Sequence, residues 1–188
     1  MLISKNKKST IISQIILTIL ALIFLFPIFV MFKISFQGRG IENYYKVISL
    51  DYVYKFFFNS IIVSIFTVAL VYFLSLLAAY SLSKLKPIGK KSFFNLILVG
   101  LMVPNVALVV PIFLLFLQLD LFKSYLAMIL PITAGVIPFA VLVFKNYLDN
   151  VPNELLEAAQ IDGAGPFMIL RKIILPLSIS ISVVVVIW

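Results

Sequence analysis

The chain has 188 residues, of which 63% are apolar and 12% charged, and its formal net charge is +8. A soluble domain is typically about 45–50% apolar and about 25% charged, so this chain exceeds what a water-soluble fold can bury. The absence of Cys and His excludes thiolate and imidazole metal sites, Cys nucleophiles, Ser-His-Asp triads, histidine proton relays and any disulfide framework. Lys and Arg fall in short stretches between apolar runs rather than along one basic face, which argues for membrane orientation and against nucleic acid.

In chain order, residues 1–10 read as a short N-terminal segment carrying Lys5, Lys7 and Lys8. Ile11 to Phe32 is uncharged and gives about 33 Å of helix against a hydrocarbon core of about 30 Å. It is longer than the apolar core of a signal peptide and no A-x-A-like cleavage site follows, so it reads as an uncleaved first span. The uncharged runs 56–83, 92–119 and 124–144 give three more spans. The last run, 173–188, gives about 24 Å of helix, too short to cross comfortably. The expected fold is therefore all-α: a polytopic helical membrane protein with four complete spans and the start of a fifth.

Basic residues set the orientation. With the N-terminus cytoplasmic, ten of the 15 Lys and Arg residues face inward, namely Lys5, Lys7, Lys8, Lys84, Lys86, Lys90, Lys91, Lys145, Arg171 and Lys172. The other five, Lys33, Arg39, Lys46, Lys55 and Lys123, face outward. The bias favours a multi-pass cell-membrane protein with residues 149–172 on the cytoplasmic side.

Within that segment, Val151 to Gly163 reads VPNELLEAAQIDG. Pro152 suits a first helical turn, Glu154 and Glu157 lie toward the start, and Gly163 supplies a stop. Leu155, Ala158 and Ala159 share one face by their spacing, and alanine lets another surface approach closely. A second helix is expected from Pro166 through Phe167, Ile169 and Leu170 until Leu175-Pro176 disturbs it at the membrane. Glu157-Ala158-Ala159, then Gly163 after three residues, then Ile173-x-Leu175-Pro176 after nine more, match the EAA motif. That motif marks permease subunits of binding-protein-dependent ATP-binding-cassette importers, which this chain resembles.

The chain is similar to the carbohydrate-uptake branch of that family through Ala78-Ala79-Tyr80-Ser81-Leu82-Ser83-Lys84, Pro104, Pro111, Pro138-Phe139 and Ile161-Asp162-Gly163-Ala164. The resemblance covers roughly residues 56 to 188. It implies that the EAA segment docks on a cytoplasmic ATPase dimer, with Glu157 making a charged contact, Ala158 and Ala159 permitting close approach, Gly163 making the turn, and Ile173, Leu175 and Pro176 completing the motif. It also implies a second homologous permease subunit, an extracellular or periplasmic solute-binding protein, a sugar, oligosaccharide or polyol as solute, and no catalysis by this chain, since ATP is bound by the partner. The family pattern runs on through the rest of span five and a sixth span, so the resemblance implies that the chain is truncated at Trp188.

The charged residues bear on how transport would be driven. All seven carboxylates, Glu42, Asp51, Asp120, Asp149, Glu154, Glu157 and Asp162, fall outside the four complete spans. This weighs against an ion-gradient carrier or channel, whose coupling groups usually sit within the membrane. There is no GxxxxGK[ST] phosphate loop, so energy must come from a partner. The EAA motif weighs against both that carrier and a non-transporting scaffold. Pro104 with Pro111, and Pro131 with Pro138, free backbone carbonyls beside a water-lined path or only shape helix packing. Pro104, Asn105, Pro111, Pro131 and Pro138 are thus the candidate path residues. Asn59, Asn95, Asn105 and Thr133 either bind a hydroxylated solute or pair across helices. Tyr44, Tyr45 and Tyr52 either face a solute-binding protein or rest at headgroup level.

Overall fold

A computed structural model of the chain describes residues 7–187, so the first six residues of the expected N-terminal segment, and Trp188, lie outside the described part. The described residues are mainly helical, with no strand among them. They fall into two compact units, divided between Phe58 and Asn59.

The first unit holds α1 (Lys7–Ser35), α2 (Glu42–Ile48) and the first turns of α3 (Asp51–Tyr80). Apolar side chains surround α1, with Leu17, Phe24 and Phe29 all exposed, as suits a helix solvated by lipid rather than by protein. The turn after it is tied by side chains. Asn43 donates its amide to the carbonyls of Ser35 and Gln37 at 3.0 and 2.9 Å, and the Ser35 and Tyr44 hydroxyls meet at 2.5 Å. The bond to Ser35 O occupies a carbonyl that the end of a helix otherwise leaves open.

The second unit holds the rest of α3, a π-helical turn at Ser81–Leu85, then α4 (Lys90–Gly100), α5 (Asn105–Gln118) and α6 (Leu126–Asp149). There follow α7 (Asn153–Ile161), α8 (Pro166–Ile169), a second π turn at Leu170–Ile174, and α9 (Leu175–Ile187). Its core gathers Leu76, Ala79 and Tyr80 with Ala140, Phe144, Leu148, Leu156, Ile169 and Ile174. Ala79 and Ala140 are fully buried, small residues of the kind that let membrane helices approach closely. The Tyr72 ring meets that of Phe144 edge-on, centroids 5.7 Å apart.

Two side-chain bonds fix the direction of travel. Near their starts, Tyr125 donates its hydroxyl to Asn59 Oδ1 at 2.8 Å. At their ends, the Ser83 hydroxyl donates to Asp149 Oδ1 at 2.6 Å. Helices α3 and α6 therefore run parallel, and the chain between them must return across the membrane. Helices α4 and α5 make that return as a bent pair, with axes 91° apart. At 11 and 14 residues they are about 16 and 21 Å long, and neither alone covers a core of about 30 Å.

This corrects the continuous helix expected over 92–119. Pro104 lacks an N–H and disfavours helical geometry at the residue before it. Its own backbone is extended (ψ 118°) as it caps α5, so it breaks the span rather than lying inside it. Pro111, Pro131 and Pro138 do lie inside helices. The last span also differs from expectation. It is helical from Pro166 to Ile187, long and apolar enough to cross, and Pro176 does not end it. The wider turn at Leu170–Ile174 just upstream accommodates the proline ring, which in a straight α-helix meets the carbonyl four residues back. With α1, α3, α6 and this helix, the bent pair makes five candidate crossings.

Candidate functional site

Helix α7 begins directly after Pro152, and Glu154 in its first turn complements the positive end of the helix dipole. One side of the helix is seated. Leu156 is buried, and Ala159 packs against the core. The opposite side is open: Glu154, Leu155, Glu157, Ala158 and Ile161 are all exposed, Ile161 to 86%. The two motif alanines thus separate. Ala158 faces outward, whereas Ala159, which the spacing groups with Leu155 and Ala158 on one face, lets α7 lie close on its own bundle.

The helix ends as Gly163 requires. Gly163 N–H donates to Gln160 O at 3.0 Å and Ala164 N–H to Ala159 O at 2.9 Å, the paired bonds of a Schellman cap. Gly163 has φ 82°, a left-handed conformation that costs a residue with a Cβ about 1–2 kcal/mol. Ala164 and Ala159 both pack on the core, completing the cap's apolar contact. Pro166 then opens α8, which exposes Phe167 and Met168 and buries Ile169. Ile173 and Leu175 pack against the core while Pro176 is exposed. The second half of the motif therefore anchors the segment to the bundle.

A polar joint holds this segment to the ends of two spans. Lys84 donates from Nζ to Val151 O at 2.7 Å and to Asn153 Oδ1 at 3.0 Å. Tyr80 donates its hydroxyl to Pro166 O at 3.1 Å, and Tyr147 donates to Leu177 O at 2.6 Å. Asp149 accepts from Ser83 at 2.6 Å and from Lys145 at 2.6 Å, and Lys145 Nζ lies 4.7 Å from the centre of the Phe94 ring. Sequence reasoning gave Tyr80, Ser83, Lys84 and Asp149 no such role. For the first three the signal was the stretch Ala78 to Lys84, which carried a resemblance without a mechanism; Asp149 had none.

A second feature is an open cleft of about 840 Å³ between the broken span and α6. Of the candidate path residues, Asn105, Pro131 and Pro138 line it, and Pro104 and Pro111 do not. Close packing builds its wall. A Cβ on Gly100 would lie 3.0 Å from Pro138 Cγ, and one on Gly135 would lie 3.4 Å from Asn105 Oδ1. The remaining lining is mainly Val, Leu, Ile, Phe and Met, with Asn105 its one polar side chain. Asn59 is paired with Tyr125, Asn95 is exposed, and Thr133 is buried in α6 away from the lining. This surface receives apolar groups more readily than a hydroxylated solute.

The profile of the binding-protein-dependent transport system inner membrane component family matches residues 71–188. The chain is 33% identical over 176 residues to the arabinooligosaccharides transport system permease protein AraQ of Bacillus subtilis, covering 84% of this chain and 62% of that one. It is 40% identical over 124 residues to the AraQ protein of Halalkalibacterium halodurans (66% and 44% covered). It is 30% identical over 185 residues to the inner membrane ABC transporter permease protein YcjP of Escherichia coli (87% and 65% covered). The chain thus spans from under half to about two thirds of the length of these relatives. It is a multi-pass membrane protein that belongs to the family of binding-protein-dependent transport system inner membrane components.

Proposed function

We propose that this chain is a transmembrane subunit of an ATP-driven importer of saccharides, coupled to a cytoplasmic ATPase dimer through the exposed face of α7. The observation that carries this reading is a helix seated and capped on the bundle by Leu156, Ala159 and Gly163, yet open to solvent along Glu154, Leu155, Glu157, Ala158 and Ile161. Such a face offers charge, apolar area and a small central residue, the composition of a docking surface rather than of a catalytic site. The polar joint at Lys84 and Tyr80 gives it a route to the spans, because a push on α7 is carried by short bonds into α3 and α6.

In this reading ATP is bound and hydrolysed by the partner, and this chain has no cofactor of its own. Residues 149–172 and the N-terminus lie in the cytoplasm, a second permease subunit completes the pathway, and a solute-binding protein delivers from the far side. Saccharides are proposed because the two AraQ relatives carry arabinooligosaccharides in their names. The apolar cleft beside α5 and α6 is then a packing surface, and the solute path lies where the second subunit closes against this one.

The test is affinity purification of the tagged chain from its native membranes, wild type against Glu157→Lys. Reversing the charge at a desolvated contact costs about 2 kcal/mol or more. Recovery of a co-purifying ATPase is expected to fall by tenfold or more at equal membrane levels. Equal recovery with both forms would overturn the coupling assignment.

A further inference from the structure

The turn joining α3 to α4 is built unlike the rest of the surface. The π turn closes with Lys86 N–H donating to Ser81 O at 2.9 Å, and Lys86 adopts φ 50°. Lys90 N–H then donates to Pro87 O at 3.1 Å, with Gly89 at φ 79°, ψ 8°. That is a type II turn with glycine where a positive φ is needed. It lifts Ile88 to the apex, where the side chain is fully exposed. The Phe93 ring lies beneath, 3.7 Å from where a Gly89 Cβ would stand, and it too is largely exposed.

Lys86, Lys90 and Lys91 surround this apolar tip, and all three are exposed. Among the described residues the only ion pair within 4 Å is Lys145–Asp149, so none of the three is neutralised by a carboxylate. Their neighbour Lys84 is different, being turned inward onto Val151 and Asn153. The turn joins two membrane-spanning stretches, so it stands at a face of the bilayer.

We infer that residues 85–93 form a docking surface for anionic lipid headgroups, with Lys86, Lys90 and Lys91 receiving the phosphates and Ile88 and Phe93 entering the headgroup–acyl boundary. Charge complementarity selects the occupant: three unpaired ammonium groups around an apolar apex fit an acidic phospholipid, and each lysine near an anionic surface adds attraction. This inference requires only that the chain spans a membrane and does not depend on the importer reading.

The absence of cysteine allows a clean test. An Ile88→Cys variant is labelled with an environment-sensitive fluorophore and placed in nanodiscs of phosphatidylcholine alone or with increasing phosphatidylglycerol. Both leaflets of a disc share one composition, so orientation does not enter. The probe is expected to shift to the blue and lose quenching by aqueous iodide only when phosphatidylglycerol is present. Replacing Lys86, Lys90 and Lys91 by Gln should raise the half-maximal phosphatidylglycerol fraction by at least about fivefold, roughly the effect of one lysine, and Arg replacements should restore it. A probe at Ile161→Cys, an equally prominent isoleucine flanked by acidic residues, should stay accessible to iodide in both lipids. If the probe at position 88 responds identically in the two lipids, shielded in both or in neither, or if the Gln variant matches its parent, the inference is wrong.

Discussion

Two connectors lie side by side at one end of the second unit, and their surfaces are opposites. The turn at 85–93 raises an isoleucine among three unpaired lysines, while the segment at 153–163 raises an isoleucine between Glu157 and Asp162. Lys84, just before the basic connector, joins them by reaching to Val151 O and Asn153 Oδ1 at the entry to the acidic one. Apolar exposure alone therefore does not define what a loop meets. The charges around it do: in the two readings proposed above, the lysine-ringed tip suits acidic headgroups and the carboxylate-flanked one suits a protein partner.

The largest effect is expected from removing the residue that joins the two connectors. Lys84→Ala deletes a charged donor shared by Val151 and Asn153, a loss of about 1.5–3 kcal/mol. Hydrogen exchange of the backbone over 150–160 should accelerate at least tenfold in the purified protein, with the 85–93 turn little changed. If exchange is unaltered, Lys84 does not hold the start of α7. A smaller effect is expected within the acidic connector alone. Gly163→Ala meets no neighbour within 4 Å but must hold a positive φ, costing about 1 kcal/mol. Exchange at the end of α7 should rise several-fold, and Gly163→Asn should fall between the two. The smallest effect belongs to Lys145→Gln, because the pair it breaks is partly exposed and such pairs contribute about 0.5 kcal/mol. A large loss of thermal stability in that variant would mean that the contact with Phe94 carries more than the ion pair.

Hydropathy made the helical class and the order of the long apolar runs legible, because runs such as Ile11 to Phe32 and 124–144 can be satisfied in lipid only as helices. The break in the third span escaped it. Leu101, Met102 and Val103 are as apolar as the helices they separate, and only Pro104 marks the position. The same residue type at positions 111, 131 and 138 stays within helices, so proline alone does not distinguish a kink from a break. At the candidate site, the acidic face and the Gly163 stop could be read from spacing. The split between Ala158 and Ala159 could not, since it depends on which face meets the bundle. Nor could the inward turn of Lys84, whose partner lies 67 residues away.

The parallel run of α3 and α6 carries a consequence for how the protein is made. Asn59 and Tyr125 are 66 residues apart, as are Ser83 and Asp149. A chain growing at about 5–20 residues per second supplies the second helix roughly 3–13 s after the first. Throughout that interval α3 sits in the bilayer with the partners of Asn59 and Ser83 not yet synthesised, and the broken span formed by α4 and α5 must be inserted beside it before they arrive. The nascent chain is thus most open to mispairing while the ribosome is translating residues 86 to 149, and slowing or pausing translation there would lengthen that exposure.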